Sequence, residues 1–430
     1  MAGANPQIIV IGAGIGGLVT ALSLHEIGAR VDVYESVREV RPLGVGISLL
    51  PHAVRELDAL GLLDPLRRRS VEPQSLVYCS RHGQEIWREP RGVSAGYAWP
   101  QLSIHRGALQ DVLLDAFVAR VGSDHLHLGH RLAHVDTDDD CARAVFGVQP
   151  RDERLEVVGD AVVGADGIHS VARAQRYPTE GSPRGNGSLM WRGIAEIAPV
   201  LDGRTMVWAG QRDQKFVGYP IADLPDGRQT FNFVAELHRP GSALGQGEDW
   251  NRAGNLTDFL PAFEDWRFDW LDVPAIIRAA PATFLYPMVD RDPINRWTFG
   301  RSTLLGDAAH PMYPIGSNGA SQAILDARVL AGCLRAERDV AAALERYEAA
   351  RRPATAAIVE ANRGLGPEVP MQLVHERAPD GFDDIDTVIT RSEIDAVTET
   401  YRSTAGFALQ ALRDDPRSLT DQWSTVTDRR

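Results

Sequence analysis

One stretch near the start of the chain restricts the choice of fold more than any other: Ile8 to Leu18, IIVIGAGIGGL. An apolar, β-branched run ends directly in Gly12-Ala13-Gly14-Ile15-Gly16-Gly17, and Leu18 to Leu24 then carries apolar residues at helical spacing. That order predicts a buried parallel strand, a glycine turn and a helix. Gly12 permits the tight turn, Gly14 lets backbone approach a pyrophosphate, and Gly17 lets the helix lie close to the strand, with Ile15 and Gly16 in the same cradle. The helix start offers free N–H groups and a positive dipole end to phosphate. A second strand, Val31 to Glu35, ends in an acid about 20 residues after the glycines, where a ribose hydroxyl is expected. The fingerprint alone is common; the flanking strands and Glu35 give it its context.

The 430 residues, 44% of them hydrophobic, suffice for a sizeable core and two domains. A formal charge of −13 favours neither nucleic acid nor an anionic membrane. Of 45 basic residues only Lys215 is a lysine, which reads as coding bias rather than a binding signal. No apolar stretch is long enough to span a bilayer and no signal peptide is visible. Cys79, Cys141 and Cys333 are far apart and odd in number, so a reducing, cytoplasmic setting is expected.

Along the chain, Arg41-Pro42-Leu43-Gly44-Val45-Gly46-Ile47 reads as a loop whose glycines let backbone approach something flat and leave it mobile. A helix is expected from Pro51 to Leu63, a hairpin across Ser75 to Arg88, and a helix from Gly107 to Val121. Arg106, at the mouth of that helix, and Gln110, one turn in, can face a phosphate or a flavin together. The histidines 125, 127, 130 and 134 lack the spacing of a metal set, and 138–140 reads as a turn, so no metal is assigned. Glu156 to Gly167 reads as a strand running into a second acidic turn at Asp166, which in isolation is an ordinary Asp-Gly turn. From 186 to 283 the pattern is antiparallel and aromatic, with strands expected at Leu189 to Ile197, Thr205 to Ala209, Phe216 to Ile221 and Gln229 to Leu237. Trp191, Trp208, Tyr219, Phe231 and Phe233 can line a flat apolar cavity, or can simply be sheet core. A third strand ends in Gly306-Asp307. After Pro314 to Ser321 a long helix begins, and its N-terminus suits anionic charge on a ring.

Three motifs thus stand in order: GAGIGG at 12–17 with Glu35, GADGIHS at 164–170 and GDAAHPMYPIGSNGAS at 306–321. Together they resemble the FAD-dependent aromatic-ring monooxygenases, the single-component class similar to p-hydroxybenzoate hydroxylase. RPLGVGI, EPRGVSAG, SIHRG, MWRG and YPMVDRDP bring the likeness closer to the phenazine-tailoring, methylphenazine-carboxylate members, over roughly residues 6 to 363. The resemblance implies an α/β fold with a discontinuous Rossmann-type FAD-binding domain (1–75, 101–185 and 284–365). It also implies an inserted antiparallel-sheet substrate domain (76–100 and 186–283). Residues 366–430 lie beyond the likeness; charged and weakly periodic, they are expected to form a C-terminal helical tail, as a terminal helix or lid. The resemblance implies non-covalent FAD held by Gly12, Gly14 and Gly17, with Glu35 on the ribose, Arg106 near the phosphates, Arg41 among the cofactor-binding residues, and Asp166 tied to both FAD and nicotinamide. Asp307 would hold the ribityl side. Pro314, Gly316, Asn318, Gly319 and Ala320 would meet the pyrimidine edge of the flavin, and Val45 and Gly46 would lie beside its ring.

On this resemblance NADH or NADPH reduces the flavin transiently, O2 adds, and a flavin C4a-hydroperoxide hydroxylates a planar aromatic, with decarboxylation where the attacked carbon bears a carboxylate. No side chain need be a nucleophile. Besides the aromatic residues above, Arg192, Tyr313 and His52 are substrate candidates, and Arg192 leans toward a cofactor-side or structural role. The chain is expected to act as a monomer or homodimer. A flavin-dependent halogenase would need a WxWxIP segment, which Trp266-Arg267-Phe268-Asp269-Trp270 is not, and a first-domain lysine, which is absent. An N-hydroxylase or epoxidase on the same scaffold, or a non-catalytic FAD-binding redox sensor, remains open to the sequence.

Overall fold

The computed structural model describes residues 5–41, 44–150, 153–241 and 252–424. The tip of the first glycine loop (42–43) and the last residues of the tail (425–430) therefore lie outside the described residues. Five parallel strands form the first sheet, in the order Ser302–Leu304, Ala161–Gly164, Gln7–Ile11, Arg30–Glu35 and Leu126–Leu128. Ile8, Ile9 and Val10 are wholly buried, as an unbroken apolar run in a sheet covered on both faces requires. Helices Ile15–Glu26 and Gly319–Ala336 pack together above this sheet. Their closeness depends on small residues: a Cβ on Gly16 would meet Leu305 Cδ2 at 2.9 Å, and one on Gly17 the Gly12 carbonyl oxygen at 1.9 Å.

The second large sheet has seven strands, in the order Thr283–Asp290, Arg184–Ile197, Gln229–His238, Gln214–Asp223, Thr205–Gln211, Ser75–Cys79 and Glu85–Pro90. It is antiparallel except where Ser75–Cys79 runs parallel to Thr205–Gln211. Thr283–Asp290, at the expected return to the FAD-binding domain, pairs with Arg184–Ile197 in this sheet. The helix expected from Pro51 to Leu63 breaks into Pro51–Ala59 and Leu63–Arg67. The tail is helical, and Met371, Val374, Ile389 and Ile394 pack against one face of the seven-stranded sheet. No helix among the described residues is long and apolar enough to cross a membrane.

This sheet is buried on both sides, and the two sides do different work. One face carries Trp191, Phe216, Phe231 and Phe233, closed over by Phe259, Phe263 and the helix Val273–Ala279. Trp191 stacks on Phe259 with ring centres 5.0 Å apart. The opposite face carries Met190, Met206, Trp208 and Tyr219 and looks toward the first domain and the tail. The expectation that Trp191, Phe231 and Phe233 line a substrate cavity is therefore corrected: strand alternation turns all three into the core behind the sheet.

Candidate active site

Two uncapped helix starts converge where the parallel strands end. Neither Ile15–Glu26 nor Gly319–Ala336 has a side-chain cap, so their first N–H groups stay available, unlike the helix Val171–Arg176, capped by Ser170. Gly12 has φ +100°, and Gly14 faces open space, with no atom within 4 Å of where a Cβ would stand. That opening is the cradle a pyrophosphate needs. Glu35 closes its far side: Oε2 accepts from Ala13 N (2.8 Å) and Oε1 from Val37 N (2.9 Å), which leaves acceptor capacity for a hydroxyl. Gln110 Nε2 donates to Ala13 O at 2.9 Å and so braces the glycine turn. Arg41 pairs instead with Glu39 at 2.8 Å on the surface.

Asp307 and Arg106 face the same cleft. Among the described residues neither side-chain head has a hydrogen-bond partner, and both are exposed to the cleft. Crowding by surrounding protein raises the Asp307 carboxyl above its ordinary range, against the pull of His310 and Arg106. A Cβ on Gly319, the first residue of its helix, would stand 4.0 Å from Asp307 Oδ1. An unpaired carboxylate, an unpaired guanidinium, two bare helix starts and an open glycine cradle fit FAD: N–H groups and Arg106 for its phosphates, Asp307 and Glu35 for its hydroxyls. Pro314 and Ala320 flank the second helix start.

Asp166 is already committed. Its Oδ1 accepts from Ser170 Oγ (2.6 Å) and its Oδ2 from Val171 N (2.7 Å) and Ala172 N (3.3 Å), so it orders the start of Val171–Arg176 rather than facing the cleft as a free acid. Sequence reasoning missed the next residue that matters, Arg173. It is buried, and Nη1 donates to Ala308 O and Ala309 O at 3.2 and 2.8 Å, tying the second motif to the third.

The seven-stranded sheet grips the first glycine loop. Arg192 Nη2 and Tyr219 Oη both donate to Gly46 O, at 2.7 and 2.8 Å, and Gly46 N donates to Asn232 Oδ1 at 2.7 Å. Arg192 also lies over the Tyr286 ring, 5.6 Å from its centre. A Cβ on Gly46 would meet Asn232 Cβ at 2.6 Å, so glycine is obligatory here. Val45 is buried and its carbonyl accepts from Arg106 N at 3.0 Å. The loop expected to be mobile is thus anchored at its Gly46 end.

The tail anchors the third motif. Tyr401 Oη accepts from Asn318 Nδ2 (2.8 Å) and donates to Asn362 Oδ1 (2.8 Å) or Ile315 O (3.2 Å). Gly316, at φ +68°, has no room for a Cβ, which would fall 2.0 Å from Tyr401 Oη. His52 is wholly buried beside Gln322 and Phe407, away from any open space; burial, then Arg55 and Arg351, lower it to about 3. Tyr313 packs with Met190, Met288 and Ile315.

A cavity lies between the tail, the 316–317 loop and the sheet face that carries Trp208. Leu76 and Met206 form its apolar floor, Gln101 and Arg91 its polar end, and Tyr401, Arg402 and Phe407 its tail wall. It is closed down to about the room of one water.

Fold and site together define a flavoprotein oxidoreductase, an FAD-dependent monooxygenase with the Rossmann FAD domain. Its relatives and structural neighbours say the same. The FAD binding domain family matches residues 5–252 and 285–362, and the chain belongs to that family. It is 44% identical over 366 residues to phenazine 1,6-dicarboxylic acid hydroxylase of Lysobacter antibioticus, covering 83% of this chain and 89% of that one. It is 33% identical to 3-amino-4-hydroxybenzoate 2-monooxygenase of Streptomyces cremeus, over 84% and 87% of the two chains. The FAD complex of an HpxO variant from Klebsiella pneumoniae superposes with a TM-score of 0.70 at 25% identity, covering 94% of this chain and 95% of that one.

Proposed function

We propose that this enzyme hydroxylates a planar, fused-ring aromatic acid that lies between the Trp208 face of the sheet and the loop 316–317. Bound FAD would supply the chemistry, taking a hydride from NADH or NADPH and passing one oxygen atom of O2 to the ring while the other leaves as water. The protein's own residues do the rest. Gly12, Gly14 and Gly17 with the two helix starts would hold the phosphates and the flavin edge. Asp307 and Glu35 would hold hydroxyls, and Arg192, Tyr219 and Asn232 fix the Gly46 backbone. Closure by Tyr401, Arg402 and Phe407 keeps water out. Where the attacked carbon bears a carboxylate, hydroxylation expels carbon dioxide.

The observation that carries this reading is one flat apolar floor, Leu76, Met206 and Trp208, set directly against Gly316 and Ser317. The phenazine-acting relative supports the ring class. Each chain holds the whole set of residues, so monomer and homodimer serve equally. A cytoplasmic location, where NAD(P)H is supplied, is supported by the three free cysteines. The test is a screen of planar aromatic acids for stimulation of NADH oxidation by the FAD-loaded protein. Phenazine 1,6-dicarboxylic acid is expected to stimulate it; stimulation by none of a phenazine, quinoline and benzoate set would overturn the reading.

A further inference from the structure

The polar end of the cavity has a composition that apolar ring binding does not explain. Trp208 is 5% exposed and Gln101 2% exposed, yet Trp208 Nε1 and Gln101 Oε1 have no hydrogen-bond partner. Arg91 Nε, beside them, is equally unpartnered. Leaving a buried donor or acceptor unmade is unfavourable, and more so for a charged group than for a neutral one. All three belong to residues that line one cavity, and their unmet capacity, two N–H donors and one acceptor, marks a place for a ligand's polar groups.

The charges point to the sign of that ligand. Glu89 is the shared carboxylate of two guanidiniums: Arg91 pairs with it at close range and Arg402 Nη2 reaches its Oε2 at 3.0 Å. Arg91 Nη2 also donates to Tyr78 Oη at 3.0 Å. The other carboxylate on Arg402, Glu399, is 3.5 Å away and mostly in solvent. Behind this end, Lys215 lies between Glu236 (3.0 Å) and Glu368 (2.6 Å), and burial pushes the Glu368 carboxyl up, so that triad settles toward internal neutrality. At the cavity wall two cations share one buried anion, which leaves a positive charge to be met.

We propose that Arg91 is the carboxylate anchor of the substrate, receiving an anionic oxygen on its Nε–H with Trp208 Nε1–H as the second donor. Gln101 Oε1 then accepts from a hydroxyl or ring N–H next to that acid, and Arg402 brings the tail down over the bound ring. The inference rests on the aromatic reading above and adds its recognition element. Arg402, Tyr401 and Phe407 lie beyond residue 362, where the family match ends, so this chain's selectivity is set partly by sequence outside the family domain.

The test is equilibrium binding to the FAD-loaded protein, without NADH, of phenazine 1,6-dicarboxylic acid and of unsubstituted phenazine, followed by the ligand's own absorbance. Arg91→Gln is expected to weaken the diacid tenfold or more and to leave phenazine within about twofold, and Arg91→Lys to recover part of the loss. A flavin content equal to the wild type's shows that each variant is folded; if Arg91→Gln loses flavin, Trp208→Phe, which removes only the second donor, is expected to weaken the diacid selectively. Equal weakening of both ligands, or of neither, would overturn the anchor, as would a wild type that prefers phenazine to the diacid. Continued NADH-driven hydroxylation of the diacid in that event would show that the aromatic reading stands and only the anchor is wrong.

Discussion

At the scale of single residues, Arg192 and His52 show how partners decide roles. Both were substrate candidates, and both sit among protein groups instead. Arg192 spends a donor on Gly46 O, shared with Tyr219. Arg192→Ala should therefore slow reduction of the flavin by NADH, because the Gly46 backbone loses one of its three holds, while substrate affinity changes less than about threefold. Stopped-flow flavin bleaching beside a binding titration separates the two; a rise confined to the substrate constant would return Arg192 to the cavity. His52 is buried neutral, its pKa lowered from 6.5 to about 3 by loss of solvent. Between those values the unfolded chain binds a proton that the folded chain refuses, so stability falls as pH falls, by up to about 1.4 kcal/mol per pH unit from this group. His52→Gln should flatten the loss of urea midpoint between pH 6.5 and pH 4.5 relative to wild type. Parallel pH slopes in the two proteins would contradict the assignment.

At the scale of elements, the glycine turn and its strands were legible because each carries its reason locally: a β-branched run, a positive-φ glycine and an acid at the next strand end. The four strands expected between 189 and 237 also stand, each somewhat longer than its pattern indicated. Which face of that sheet meets the substrate was not legible. Alternation in a sequence separates two faces, but here both are covered, one by 256–279 and the other by the tail, so neither is marked by polarity. Trp191, Phe231 and Phe233 were as plausible for the cavity as Trp208 until the covering layers were known. Arg91 was invisible for another reason: Glu89 and Arg402, whose pairing frames the polar end, are 313 positions apart. The tail helix Arg391–Thr404 likewise has its own capping box at Thr390 and Glu393 but no motif that announces its contact with the third glycine loop. The polar part of that contact is one hydroxyl. Tyr401→Phe leaves Asn318 Nδ2 and Asn362 Oδ1 without it, and should cost about 1–3 kcal/mol in urea unfolding. FAD should dissociate faster, since Gly316 to Gly319 loses its clamp. Unchanged unfolding and unchanged flavin release would show that the tail merely covers this loop.

At the scale of the whole molecule, three segments far apart in sequence enclose the cavity proposed as the reaction space. The parallel sheet presents two helix starts, the seven-stranded sheet supplies a floor and fixes the Gly46 backbone, and the tail closes the remaining side. Enclosure is what oxygen transfer to a ring requires, since water admitted to the site diverts the reduced oxygen to hydrogen peroxide. The cavity holds only about one water as it stands, so on the proposed reading a ring is expected to enter by displacing the tail wall, which then closes over it. A closed space that opens for substrate should couple reductant use to product. The most direct measurement is turnover of phenazine 1,6-dicarboxylic acid, or of the best stimulant found in the aromatic screen, under isotopically heavy O2 with NADH, with the product analysed by mass spectrometry. One labelled oxygen atom in the organic product for nearly every NADH consumed is the expected result; NADH consumption whose label appears in hydrogen peroxide and never in the ring would contradict aromatic hydroxylation by this enzyme.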